Sequence, residues 1–120
     1  MQIICLKLIR MKVQKYAFQI GKEIKFIEQK EIMHCTSDSN YTDIAIVSGK
    51  RMLSSKSLKE LEKLFDSDLF VRVHNSCIVN ITYVVSFSNE KSSVIVMADG
   101  TEIKVSRRKK RELLMKFHKL

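Results

Sequence analysis

Phe70-Val71-Arg72-Val73-His74-Asn75-Ser76-Cys77-Ile78-Val79-Asn80 is the stretch on which the reading of the fold turns. Two short runs with β-branched and aromatic residues, Phe70–Val73 and Cys77–Val79, flank a polar centre and read as neighbouring strands. Arg72 and His74 stand two apart and share one strand face, while Val71 and Val73 share the other. Phe70 and Ile78 read as core, and Asn80 as a turn former whose side chain bonds local backbone. His74 reads as a buried, hydrogen-bonded histidine holding the loop, in preference to a direct ligand contact.

Upstream, Ile24–Ile27, Ile32–Cys35, Tyr41–Val47 and Arg51–Leu53 are further short β-like runs, with Ser48-Gly49-Lys50 as a turn. One helix interrupts them. Ser57 and Glu60 have the spacing of a capping box, the hydroxyl accepting from the Glu60 amide and the carboxylate reaching back to the Ser57 amide. Leu58, Leu61, Leu64 and Phe65 form its expected apolar stripe, and Asp66-Ser67-Asp68 ends it. Downstream come Val84–Phe87, then Val94–Met97 and Thr101–Val105 around Asp99-Gly100, a two-residue hairpin signal because both positions tolerate φ > 0. Ser106 is expected to cap a last, basic helix with Leu113, Leu114 and Phe117 as its apolar stripe. For residues 1–20, strand, short helix and linker end all remain open. Many short strands with one or two helices predict a mainly β, antiparallel domain.

The chain has 120 residues, 45% of them hydrophobic, which fits one domain with one core. With no proline and three glycines, no flexible linker is visible. No apolar run approaches the roughly 20 residues of a membrane helix, and the start lacks a signal-peptide pattern, so a cytoplasmic protein is expected. Cys5, Cys35 and Cys77 are odd in number and contain no CxxC pair, which reads as small hydrophobic filler. Net charge is +9 and uneven. Between Lys104 and Lys119 eight basic residues meet one acid, Glu112, and five precede Glu23 with no acid at all. Such concentration points to a polyanion, nucleic acid before an anionic membrane surface.

Taken in order, Ser57-Leu58-Lys59-Glu60-Leu61, the Phe70–Asn80 stretch, and Val105-Ser106-Arg107-Arg108-Lys109-Lys110 resemble the LytTR DNA-binding family, and Ile32 to Asn40-Tyr41 matches its earlier strand and loop. The resemblance covers about residues 22–117, giving an N-terminal extension or linker at 1–21 and the domain at 22–120. It implies an antiparallel β-sandwich-like fold that puts loops into the DNA major groove, as pairs on repeated half-sites. By position, Asn40, Tyr41 and Thr42 match one DNA-facing loop, Asn75 the variable position of another, and Arg107 and Arg108 the basic pair after the motif serine. Asn75 stands where many members carry arginine or lysine, which implies a different base preference, and Cys35-Thr36-Ser37 replaces an acidic stretch. Family members commonly follow a phosphoacceptor receiver domain, so the chain reads as a stand-alone regulator or a response-regulator output domain.

The residue chemistry agrees. Arginine matches guanine O6 and N7, and asparagine can pair with adenine N6 and N7. Lys109, Lys110 and Arg111 suit phosphates, and backbone amides at the Ser106 helix start add to them. The expected partner is double-stranded DNA, bound by a homodimer, with no membrane. Catalysis is not expected, because no nucleophile–base pair or phosphate loop is evident. No cofactor or metal is expected either: His34 and Cys35, adjacent on a strand, face opposite sides. A redox role for Cys77 is a minor reading. The alternative function is an RNA-binding or protein-interaction module using the same basic face, with Tyr16, Tyr41 and Tyr83 as the candidate stacking residues.

Overall fold

The computed structural model describes residues 15–118. Ten strands form three antiparallel sheets: a hairpin of β1 (Lys15–Ile20) and β2 (Glu23–Glu28), a five-stranded sheet and a three-stranded sheet. The five-stranded sheet contains β3 (Ile32–Asp38), β4 (Tyr41–Ile46), β5 (Arg51–Ser54), β6 (Phe70–His74) and β7 (Cys77–Asn80) in the order β5-β4-β3-β7-β6. The three-stranded one contains β8 (Val84–Ser88), β9 (Val94–Met97) and β10 (Glu102–Lys104), with β9 central. Helix α1 (Leu58–Leu64) connects β5 to β6, and α2 (Arg107–Leu114) follows β10.

The five-stranded sheet is the middle layer and is apolar on both faces, which explains its nearly continuous hydrophobic runs. On one face Ile32, Cys35, Ile44 and Ile78 pack with Phe18 of β1, Leu58 and Leu61 of α1, and Phe65. On the other, Ala45, Val71, Val73 and Val79 meet Ile95, Met97 and Ile103 of the smaller sheet and Leu113 of α2. The mainly β, sandwich-like expectation is therefore met. The undecided segment around residues 15–20 is strand β1, with Phe18 in the core, and the rest of the 1–20 reading, Cys5 included, lies outside the described residues.

Several local expectations are corrected. The Ser57 hydroxyl accepts from the Glu60 amide at 3.2 Å, but the Glu60 carboxylate lies 3.5 Å from Lys56 Nζ and the reciprocal half of the capping box is not formed. Leu64 is 57% exposed, because it lies about 120° round the helix from Leu58 and about 100° from Phe65, past the edge of the stripe. Ser106 occupies the N-cap position of α2 without a side-chain cap bond; its backbone instead tethers α2 to β6 through a 2.7 Å bond from its amide to the Val73 carbonyl. Of the α2 stripe only Leu113 is buried, since the helix stops at Leu114 and leaves Leu114 and Phe117 outside the core. At Asp99-Gly100 only Gly100 has positive φ, at 87°. The turn is a three-residue loop, with Gly100 N donating to Met97 O and Met97 N to Thr101 O. The same device recurs at Val47-Ser48-Gly49.

Asn80 does more than form a turn. Its Oδ1 accepts from the Thr82 amide, while its Nδ2 donates to the Ile32 carbonyl at 3.0 Å, 48 residues away. His34 is 1% exposed, and its Nε2 meets Asp99 Oδ2 at 3.0 Å, joining the middle sheet to the β9–β10 loop. A bulge between Ile32 and His34 allows this reach, while Cys35 points into the opposite core. Cys35 and Cys77 are both buried and free, in keeping with their reading as filler.

Candidate nucleic-acid interface

Three connections meet at one end of the middle sheet. The β3–β4 hairpin turns through Ser39-Asn40, the β6–β7 connection through Asn75-Ser76, and the β5–α1 segment through Ser55–Ser57. Around them lies a depression of about 370 Å³, whose walls include Asn40, Tyr41, Lys56, Lys59, Arg72 and Asn75. A second, of about 210 Å³, continues past Arg72 and Asn75 to Ser106, Arg108 and Lys109 at the start of α2. Arg72 and Asn75 belong to both, so loops distant in sequence form one continuous face.

The Asn75 turn is held from both sides. Arg72 donates to the Asn75 carbonyl at 2.7 Å and to Glu62 Oε1 of α1 at 3.2 Å. His74 Nδ1 accepts from the Ser76 amide at 3.2 Å and lies 3.0 Å from the Ser76 hydroxyl. An Nδ1 that accepts an amide proton leaves the neutral ring's own proton on Nε2. The loop-holding reading of His74 matches this geometry, but the ring is half-buried, not buried, because it sits at the sheet's end beside the turn. The Asn75 side chain is left exposed at the apex.

The hairpin is shaped differently. Asp38 pairs with Tyr41, leaving Ser39 and Asn40 as a two-residue turn, and Ser39 has φ +54°, the only positive φ on a non-glycine residue among those described. Its counterpart in the β1–β2 hairpin is Gly21 at +62°. Tyr41 is 54% exposed, whereas Thr42 is 1% exposed and spends its hydroxyl on the Lys56 carbonyl at 2.6 Å. Thr42 therefore ties the hairpin to the β5–α1 segment from below the surface.

The basic run of α2 divides between two flanks. Arg108 and Lys109 border the second depression, with Lys109 Nζ 3.2 Å from Glu112. Lys110 faces the other way, its Nζ 5.7 Å from the centre of the Phe87 ring. Arg107 is exposed and borders neither depression. Lys56, Lys59 and Arg72 were not among the sequence candidates. Lys56 lies outside the motifs, Lys59 lies within the helix motif at a position with no contact expected, and Arg72 reads as structural, which its bonds support. Of the candidate stacking residues, Tyr16 bonds to Gln29 and the Asp66 amide and stacks toward Phe65, and Tyr83 donates to the Lys30 carbonyl. Tyr41 alone of the three stands free on this face. Cys77 is 4% exposed, and burial pushes its thiol up to about 11, so it holds little thiolate at neutral pH.

No described helix is long and apolar enough to cross a membrane, and among the described residues no cluster of three or more His, Cys, Asp or Glu is placed to hold a metal ion. The LytTr DNA-binding domain family model matches residues 22–118. The heme-containing CO-sensing transcriptional regulator RcoM 2 of Paraburkholderia xenovorans is 38% identical over 90 residues, covering 72% of this chain and 33% of that protein. The sensory transduction protein LytT of Bacillus subtilis is 29% identical over 106 residues, covering 87% of this chain and 44% of that protein. The chain thus spans a third to less than half the length of these relatives. In fold, it is similar to the LytTr DNA-binding domain of a methyl-accepting/DNA response regulator from Bacillus cereus, with a TM-score of 0.74, 21% identity, and coverage of 84% of this chain and 96% of that one. With its family motifs in order along the chain and the fold in agreement, the chain belongs to the LytTr DNA-binding domain family.

Proposed function

We propose that the chain is a sequence-specific reader of duplex DNA that regulates transcription in the cytoplasm. In this reading the Ser39–Tyr41 turn and the Asn75 apex enter the major groove, with Arg108 beside them. Asn75 and Arg108 read base edges, since an amide and a guanidinium each match a purine pattern bidentately. Lys109, Lys56 and Lys59 contact phosphates, which position the protein and carry no sequence information. Thr42, Arg72 and His74 hold the reading loops from behind. Arg107 and Lys110, outside the two depressions, add to the positive field. Copies bind as pairs on repeated half-sites, and the switch comes from a receiver or other signalling partner.

The observation that carries the proposal is the meeting of the hairpin turn, the Asn75 turn and the start of α2 on one basic face. The test is selection from a random duplex library at near-physiological salt. Two similar half-sites about one helical turn apart are the expected enrichment. A single enriched half-site would retain sequence reading and remove pairing. Weak, salt-sensitive binding without enrichment would remove sequence reading.

A further inference from the structure

On the opposite flank of α2 from Arg108 and Lys109, an apolar groove of about 550 Å³ runs between the helix and the smaller sheet. Phe87 and Ile95 come from the sheet side, and Leu113, Leu114 and Phe117 from the helix side. Val85 is 67% exposed, Leu114 42% and Phe117 41%, so the groove's edges are unusually apolar for a surface facing water. The only charged side chain on its walls is Lys110. By helical spacing Arg107 stands beside Leu114 and about 60° round the helix from Lys110, at the groove's rim, while Arg111 is turned about 100° away from Lys110. Neither makes an ion pair among the described residues, and Glu112, the one acid of α2, pairs with Lys109 on the other flank.

We propose that this groove is a docking site for an acidic amphipathic helix of a partner protein, seated on its apolar face with its carboxylates toward Lys110 and Arg107. Apolar walls of this kind take the large apolar side chains that a helix presents at i, i+3 or i+4, and i+7. Its charge selects the occupant. A second copy of this chain would bring more positive charge against it, and residues 1–14 contain Lys7, Arg10 and Lys12 but no acid. DNA offers no apolar ridge to fill it, and a bilayer surface would not enter a concave groove. The groove's walls are separate from the two DNA-facing depressions, and the only overlap is that Arg107 and Lys110 also belong to the positive field around them.

The experiment is selection of a displayed helical-peptide library on the full chain, followed by binding measurements on the chosen peptides. The expected peptides are acidic, carry apolar residues at that spacing, and bind without displacing duplex DNA at near-physiological salt. Val85→Asn, and Val85→Asn with Phe117→Ser, are expected to weaken them by about tenfold or more while DNA affinity is unchanged. Replacing the peptides' glutamates by glutamine should weaken them similarly. Selected peptides that are neutral or basic, that ignore both variants, or that compete with DNA would overturn the proposal. Self-association of the chain, or binding to anionic vesicles, that disappears in Val85→Asn would also overturn it, giving the groove to a second copy or to a membrane.

Discussion

Asn75 and Arg108 differ in how they are held. Asn75 projects from a turn whose carbonyl is clamped by Arg72, while Arg108 extends from the exposed first turn of α2. Asn75→Ala is therefore expected to cost about 1–3 kcal/mol of discrimination at one base pair, leaving non-specific affinity intact, as competition with single-position operator variants would show. Equal losses on every sequence would instead make Asn75 a phosphate contact. Thr42 acts at one remove. Thr42→Val keeps the shape but deletes the bond to the Lys56 carbonyl, and should cost about 1 kcal/mol in stability. Ser39 holds a backbone conformation that L side chains disfavour by roughly 1–2 kcal/mol. Ser39→Gly is expected to stabilise the domain by up to about 1 kcal/mol, partly offset by glycine's greater freedom when unfolded. An unchanged denaturation midpoint would show that this turn is not strained.

Elements succeed or fail on how far their pattern runs. In α1, Leu58, Leu61 and Phe65 reach the core and Leu64 does not, so Leu61→Ala should cost about 2–5 kcal/mol in chemical denaturation and Leu64→Ala much less. The β9–β10 loop is fastened by the Asp99–His34 contact. Partial burial alone would raise the Asp99 carboxyl, but the Thr101 amide and the His34 ring outweigh it and hold it below its ordinary value. The sign follows: a depressed folded-state value contributes stability above the unfolded-chain value near pH 4, and that contribution is lost as pH falls through the folded value. Stability is thus expected to decline below about pH 4, and Asp99→Asn should make that decline shallower. An identical acid limb in the variant would remove Asp99 from the account.

The described molecule is a middle sheet covered on both faces, with three loops gathered at one end and its positive charge spread beyond them. Duplex affinity should fall steeply with salt, with a log–log slope of about −0.9 per phosphate neutralised. Lys109→Ala should flatten that slope by about one and weaken all duplexes alike. Titrations at several salt concentrations would check this, and an unaltered slope would take Lys109 off the backbone. Lys110, resting over Phe87 on the other flank, is expected to leave a smaller trace in the same titrations.

The amino-acid sequence alone determined the number and order of most elements, because β-branched runs, turn glycines and the Ser57 cap act over a few residues. It also determined which positions match the family, since the motifs recur in order from residue 22 onward. Tertiary structure decided what lies together and what each side chain is free to do. Thr42 and Tyr41 are neighbours in one motif, yet alternation across a strand buries one and exposes the other. Lys109 and Lys110 are neighbours in one basic run, yet about 100° of helical rotation sends them to opposite flanks. Lys56, Lys59 and Arg72 join Asn40 and Asn75 on one face because the fold brings together segments far apart in the chain, which no local pattern records. The serine at φ +54° and the His34–Asp99 link were hidden for the same reason: each depends on a surrounding fold that holds it in place.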